Sequence, residues 1–122
     1  MKGLRMSDVG ESNNEFQYCI VLTTCASADE LETLVSVLLE GKLAACIQSL
    51  DINSSYMWKG QRETESEKLI LIKTRRELYP AVEAALLGAH SYETPEIICV
   101  PVSAGSIGYL NWVNEMTSVS AG

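Results

Sequence analysis

Leu43–Thr74 reads as one long β-hairpin folded about Trp58-Lys59-Gly60-Gln61. The first arm, Leu43 to Met57, carries Ala45, Cys46, Ile47, Leu50, Ile52 and Tyr56. The second, Arg62–Thr74, ends in the apolar run Leu69-Ile70-Leu71-Ile72. Arms of some fifteen extended residues span ~50 Å at ~3.3 Å per residue. A globule of 122 residues has a radius of gyration near ~14 Å and a diameter of about 35 Å. A straight hairpin of that length overhangs its own domain, and unpaired strand edges pair with another chain unless they are blunted. An oligomer is therefore expected before any motif is considered.

The flanking sequence supplies the rest of one domain. Tyr18–Thr24 is a short apolar, β-branched run and reads as a buried strand. Ser27 with Glu30 three residues on forms a capping box, followed by Leu31, Leu34, Val35, Leu38 and Leu39 on one helical face, with Gly41 at the end. Beyond the hairpin, Leu78, Val82, Ala85, Leu86 and Ala89 share a second helical face, with Pro80 in its first turn. Glu96–Val102 is a strand in which Pro101 favours an edge, and Ser106–Met116 a short helix. The order β-α-β-β-α-β plus a terminal helix is an α+β, ferredoxin-like split βαβ arrangement, with both main helices on one face of a four-stranded antiparallel sheet. The other face has no helix of its own in this scheme, and a partner subunit is its simplest cover. Residues 1–16 read as a disordered leader, with Met6 an alternative to Met1 as start, and 17–118 as a single domain.

Composition narrows the function. A net charge of −7, with nine scattered basic residues whose only adjacent pair is Arg75-Arg76, argues against a nucleic-acid partner. The candidate central strands offer Tyr18 alone as a stacking aromatic. Lys2 and Arg5 precede no apolar segment of signal-peptide length, and no run is long enough to cross a membrane as a helix, so a cytoplasmic protein is expected. Cys19, Cys25, Cys46 and Cys99 show no CxxC spacing and read as reduced, mostly buried thiols.

Candidate chemistry is sparse. His90, the only histidine, stands at a helix C-terminus beside Tyr92, Glu93 and Glu96; it reads either as a ring satisfying a carbonyl or as a metal ligand. Glu63, Glu65 and Glu67 alternate along one strand face and read as a solvated face or as oxygen donors to a hard cation. No nucleophile–base signature, P-loop or dinucleotide fingerprint is present, so an enzyme is not expected.

Lys42-Leu43-Ala44-Ala45-Cys46, Tyr56-Met57-Trp58-Lys59-Gly60, Glu67 with Ile72-Lys73-Thr74, His90-Ser91-Tyr92-Glu93-Thr94-Pro95-Glu96-Ile97, Pro101-Val102 and Tyr109-Leu110-Asn111-Trp112 together closely resemble the CutA divalent-cation tolerance family. The resemblance runs from Tyr18 to Met116. It implies a small cytoplasmic ferredoxin-like protein, a tight homotrimer assembled through its hairpins and similar to the trimers of PII signalling proteins, with a role in tolerance of copper and other divalent metals and no established catalysis. In copper-binding members the ligands are a Cys ending the first strand and two adjacent His; the matching positions here are Thr23, Ala89 and His90, with Ser91 in place of the following Pro. Only His90 remains a metal donor of that type, which implies weakened binding of a soft metal such as copper. With the trimer that the resemblance implies, Glu67, Lys73, Tyr92 and Glu96 are expected to line an intersubunit cleft open to a small ligand or a protein partner, and Tyr56, Trp58 and Trp112 read as trimer-interface residues rather than a stacking platform.

Overall fold

Lys59 and Gly60 both take left-handed backbone, with φ of 50° and 77°. Two central residues at positive φ are what a type I′ turn requires, and its twist matches that of paired strands. That turn sets the register of the longest feature of the computed structural model, which describes residues 16–119. Strand β2 (Cys46–Trp58) pairs antiparallel with β3 (Gln61–Arg75) from Trp58↔Gln61 down to Cys46↔Lys73.

The remaining strands are shorter. Strand β1 (Tyr18–Cys25) pairs with β3 only from Tyr18↔Arg75 to Cys25↔Lys68. Strand β4 (Ile97–Pro101) pairs with β1 on its other side, so the sheet order is β2-β3-β1-β4. Gln61–Glu67 consequently pairs with β2 alone, and the distal hairpin extends past the body of the sheet. Pro101 ends β4 opposite Cys19 on an edge strand, where its missing N–H breaks no interior ladder. The expected α+β split βαβ order and the central placement of β1 and β3 are both present.

Helix α1 (Ala28–Glu40) starts as its sequence dictates: Ser27 Oγ accepts the Glu30 N–H at 3.2 Å, while Glu30 Oε1 accepts the Ala26 N–H at 3.2 Å. It ends at Gly41 as expected, though the left-handed residue is the next one. Gly41 is right-handed, at φ −80°, and the left-handed residue is Lys42, at φ 56°. The Leu43 N–H reaches Leu38 O at 2.9 Å and the Lys42 N–H reaches Leu39 O at 3.1 Å, the two bonds of a Schellman cap. Helix α2 (Tyr79–Ala89) follows a 3-10 turn at Arg76–Leu78 and keeps Pro80 in its first turn. Val21, Leu34, Leu38, Ile70, Ile72, Val82 and Leu86 are buried between these helices and one face of the sheet.

The cross-strand pairs assign the other face. Gln48, Leu50, Ile52, Ser54, Tyr56 and Trp58 on β2 lie opposite Leu71, Leu69, Glu67, Glu65, Glu63 and Gln61 on β3. Ile20 and Leu22 on β1 lie opposite Val100 and Ile98 on β4. This face is not wholly without a helix. Helix α3 (Ile107–Met116) crosses its base, where Lys73 Nζ sits 5.5 Å from the Tyr109 ring and Arg75 donates two hydrogen bonds to Thr117 at 2.9 Å. Above α3 the face is open, with Leu50, Ile98 and Val100 exposed. Among the described residues all four cysteines are free thiols, Cys19 and Cys25 buried. The leader expected at 1–16 lies almost entirely outside the described residues.

Candidate functional site

A cleft of about 780 Å³ lies against the distal hairpin, lined by Thr24, Ser54, Ser55, Tyr56, Trp58, Glu63, Glu65, Glu67, Tyr92, Thr94 and Glu96. Strand alternation puts Ser54, Tyr56 and the three hairpin glutamates on one face. The segment between α2 and β4 brings Tyr92, Thr94 and Glu96 over to them. Tyr92 OH donates to Glu67 Oε2 at 2.8 Å, and Tyr56 OH donates to Glu65 Oε1 at 2.5 Å. Burial, and then the hydrogen bond to Glu67, push the Tyr92 phenol well above its usual range. The Glu65 carboxylate is the main cause holding Tyr56 up at about 12. Both phenols are therefore neutral donors at physiological pH, not bases.

His90 anchors that segment. Its side chain is fully buried, and Nε2 lies 2.6 Å from Thr24 O while Nδ1 accepts the Tyr92 N–H at 3.0 Å. An acceptor role for Nδ1 puts the proton on Nε2, which donates to the carbonyl. Glu30 secures the same segment, because its Oε2 accepts the Ser91 N–H at 2.7 Å and lies 3.8 Å from His90 Nδ1. Desolvation works to raise the Glu30 carboxyl, but the hydrogen bonds from Ser91 and Ala26 outweigh it and hold the group below its usual range.

The residues at the inherited metal positions do not form a soft-metal donor set. Both ring nitrogens of His90 are engaged within the chain. Thr23 Oγ1 is buried without a hydrogen-bond partner, and Ala89 packs against the core. Among the described residues no three His, Cys, Asp or Glu side chains converge as a metal cage, the cleft glutamates included.

Of the residues assigned to the cleft, Glu67, Tyr92 and Glu96 come together, and Lys73 does not. Lys73 lies six positions along β3, about 20 Å from Glu67 at ~3.3 Å per residue, against Tyr109 under α3. Tyr56, Trp58 and Trp112, assigned to an interface, are 41%, 59% and 38% exposed. Ser54, Ser55 and Thr94 were not singled out from the sequence, although alternation from Tyr56 back to Ser54 carries the signal for the first. The tie from Glu30 to Ser91 spans 61 positions and leaves no local trace.

The family model described as CutA1 divalent ion tolerance protein matches residues 19–116. The chain is 35% identical over 112 residues to Protein CutA of Homo sapiens, covering 91% of this chain and 63% of that protein. It is 36% identical over 95 residues to the divalent-cation tolerance protein CutA of Archaeoglobus fulgidus, covering 78% of this chain and 93% of that one. The chain spans only 54% of the mouse relative and 58% of a rice relative named as chloroplastic. A solved structure of the periplasmic divalent cation tolerance protein CutA from A. fulgidus superposes with a TM-score of 0.81 at 34% identity, covering 83% of this chain and 99% of that one. CutA from Xylella fastidiosa gives 0.81 at 35% identity, with coverage of 84% and 99%. No helix among the described residues is long and apolar enough to cross a membrane.

Proposed function

Because this chain belongs to the CutA1 divalent ion tolerance family, we propose that it serves metal tolerance as a cytoplasmic homotrimer that holds copper weakly, and not at His90. The observation that carries this reading is the internal use of both His90 nitrogens, beside a threonine and an alanine where the family resemblance implies two more donors. Thiolate and free imidazole are what copper and zinc select, and neither is offered there. Self-association is supported by the open sheet face, where Leu50, Ile98 and Val100 are exposed in the single chain. The glutamate-lined cleft beside that face is suited to a cationic group and repels an anion.

A second reading is favoured by the size of the cleft. At about 780 Å³ it lies in the range of small-ligand sites, so an adaptor trimer taking a cationic small molecule or protein segment there accounts for the same geometry. Calorimetric titration with Cu²⁺ tests the first reading. Weak heats are expected, unchanged in His90→Ala and reduced in Glu65→Gln/Glu67→Gln. Tight binding that disappears in His90→Ala would return copper to that residue.

A further inference from the structure

At the end of β3 remote from the acidic cleft, Phe16, Gln17, Arg75, Arg76, Glu77, Pro80 and Asn114 line a cavity of about 520 Å³. Arg75-Arg76 is the only adjacent basic pair in a chain of net charge −7. The two guanidinium groups are not equivalent. Arg75 is consumed by the fold: Nε and Nη2 each donate to Thr117 at 2.9 Å, and Nη1 pairs with Glu77. Arg76 is half-buried and makes neither an ion pair nor a side-chain hydrogen bond among the described residues.

A half-buried guanidinium carries five N–H donors and no acceptor, so an oxyanion satisfies it better than any neutral group. The amides of Gln17 and Asn114 on the cavity wall add donors, while Phe16 and Pro80 supply apolar surface. Helix α2 begins at this wall with no acidic residue in its first turn, and Glu77, in the 3-10 turn just before it, is paired with Arg75. The glutamates of the distal hairpin are too far away to cancel the charge of Arg76, since Arg75 and Glu67 are eight positions apart on β3, about 26 Å at ~3.3 Å per residue.

We propose that this cavity is a second ligand site, which takes a small metabolite bearing one oxyanion, seated on Arg76, with a planar or apolar body against Phe16. A volume of about 520 Å³ holds such a molecule whole. Carboxylate and phosphate share this chemistry, and two probes separate them: benzoate and phenyl phosphate, titrated calorimetrically into the full chain at fixed ionic strength, with inorganic phosphate as a third arm.

At least one aromatic probe binds, more tightly than inorganic phosphate. Arg76→Gln weakens it at least tenfold, and Asn114→Asp, an exposed change on α3, weakens it by a similar factor through repulsion. Lys59→Gln, at the hairpin tip, leaves it unchanged. The assignment is overturned if neither aromatic probe binds, if Arg76→Gln and Asn114→Asp both leave binding intact, or if Lys59→Gln weakens it equally, which marks diffuse charge attraction.

Discussion

Thr23 is a side chain whose chemistry its surroundings do not use. It is fully buried, and its hydroxyl has no hydrogen-bond partner. A buried polar group left unpaired costs about 1–3 kcal/mol, and valine fills nearly the same shape without that cost. Thr23→Val is therefore expected to stabilise the chain by about 1 kcal/mol in urea unfolding, within the range of such penalties. Destabilisation would mean that the hydroxyl has an acceptor in solution. Glu30 is the opposite case, with each carboxylate oxygen engaged by a backbone N–H. Its carboxyl is held below the ordinary value, so the folded state binds the proton less readily than the unfolded chain. The stability it contributes is present above the unfolded value, near ~4.3, and is lost as pH falls through the lower folded value. Glu30→Gln is expected to cost about 1.5–3 kcal/mol at pH 7, the scale of a hydrogen bond to a charged group. The gap from wild type should narrow as the pH falls from the unfolded value through the lower folded value, below which the wild-type group is also protonated. A gap that persists undiminished in acid would assign the effect to shape.

The elements were legible where the sequence carries a local period or a local cap. The spacing from Leu31 to Leu38, the Ser27 cap and the alternation of Glu63, Glu65 and Glu67 each act within a few residues, and each holds in the fold, whereas Leu39, read onto the same helical face, is exposed. Where geometry depends on a backbone angle and not on a residue type, the sequence carries no local signal. Gly41 ends the helix, yet the left-handed conformation of the cap falls on Lys42. A β-carbon on Gly41 would meet Val37 O at 3.1 Å, so a close approach of the backbone, not a positive φ, is what keeps this position small. Lys42→Gly, which removes the left-handed penalty, is thus expected to raise stability by about 0.5–1 kcal/mol. Gly60→Ala, at φ 77° with open space around it, should lower stability by about 1–2 kcal/mol through backbone strain alone. Thermal unfolding of the two variants should move in opposite directions. A rise for Gly60→Ala would mean that the turn does not have positive φ at its second central residue.

At the scale of the molecule, hairpin length was legible but the composition of the cleft was only half so. Glu67, Tyr92 and Glu96 meet through a segment whose path is fixed by His90 and Glu30, bonds that no periodicity announces. Lys73 shares a strand face with Glu67 but lies under α3, because the terminal helix folds over the base of that face. What α3 leaves uncovered is the strongest constraint on assembly. Ile98 is 49% exposed on the edge strand, with Leu50 at 50% on the far side of the same face. In an isolated protomer Ile98→Glu changes stability by only about 0.5 kcal/mol, as surface substitutions do. In a trimer closed over this face the carboxylate would be buried without a partner in every copy, at a cost of about 3–5 kcal/mol each. Wild type should therefore sediment at micromolar concentration as three chains of 13.4 kDa, about 40 kDa, and Ile98→Glu as one folded chain of 13.4 kDa. Val37→Glu, 40% exposed on α1 behind the opposite sheet face, should remain assembled. A wild-type protein that sediments as a single chain would remove the trimer. Equal dissociation of both variants would place the contact on another surface.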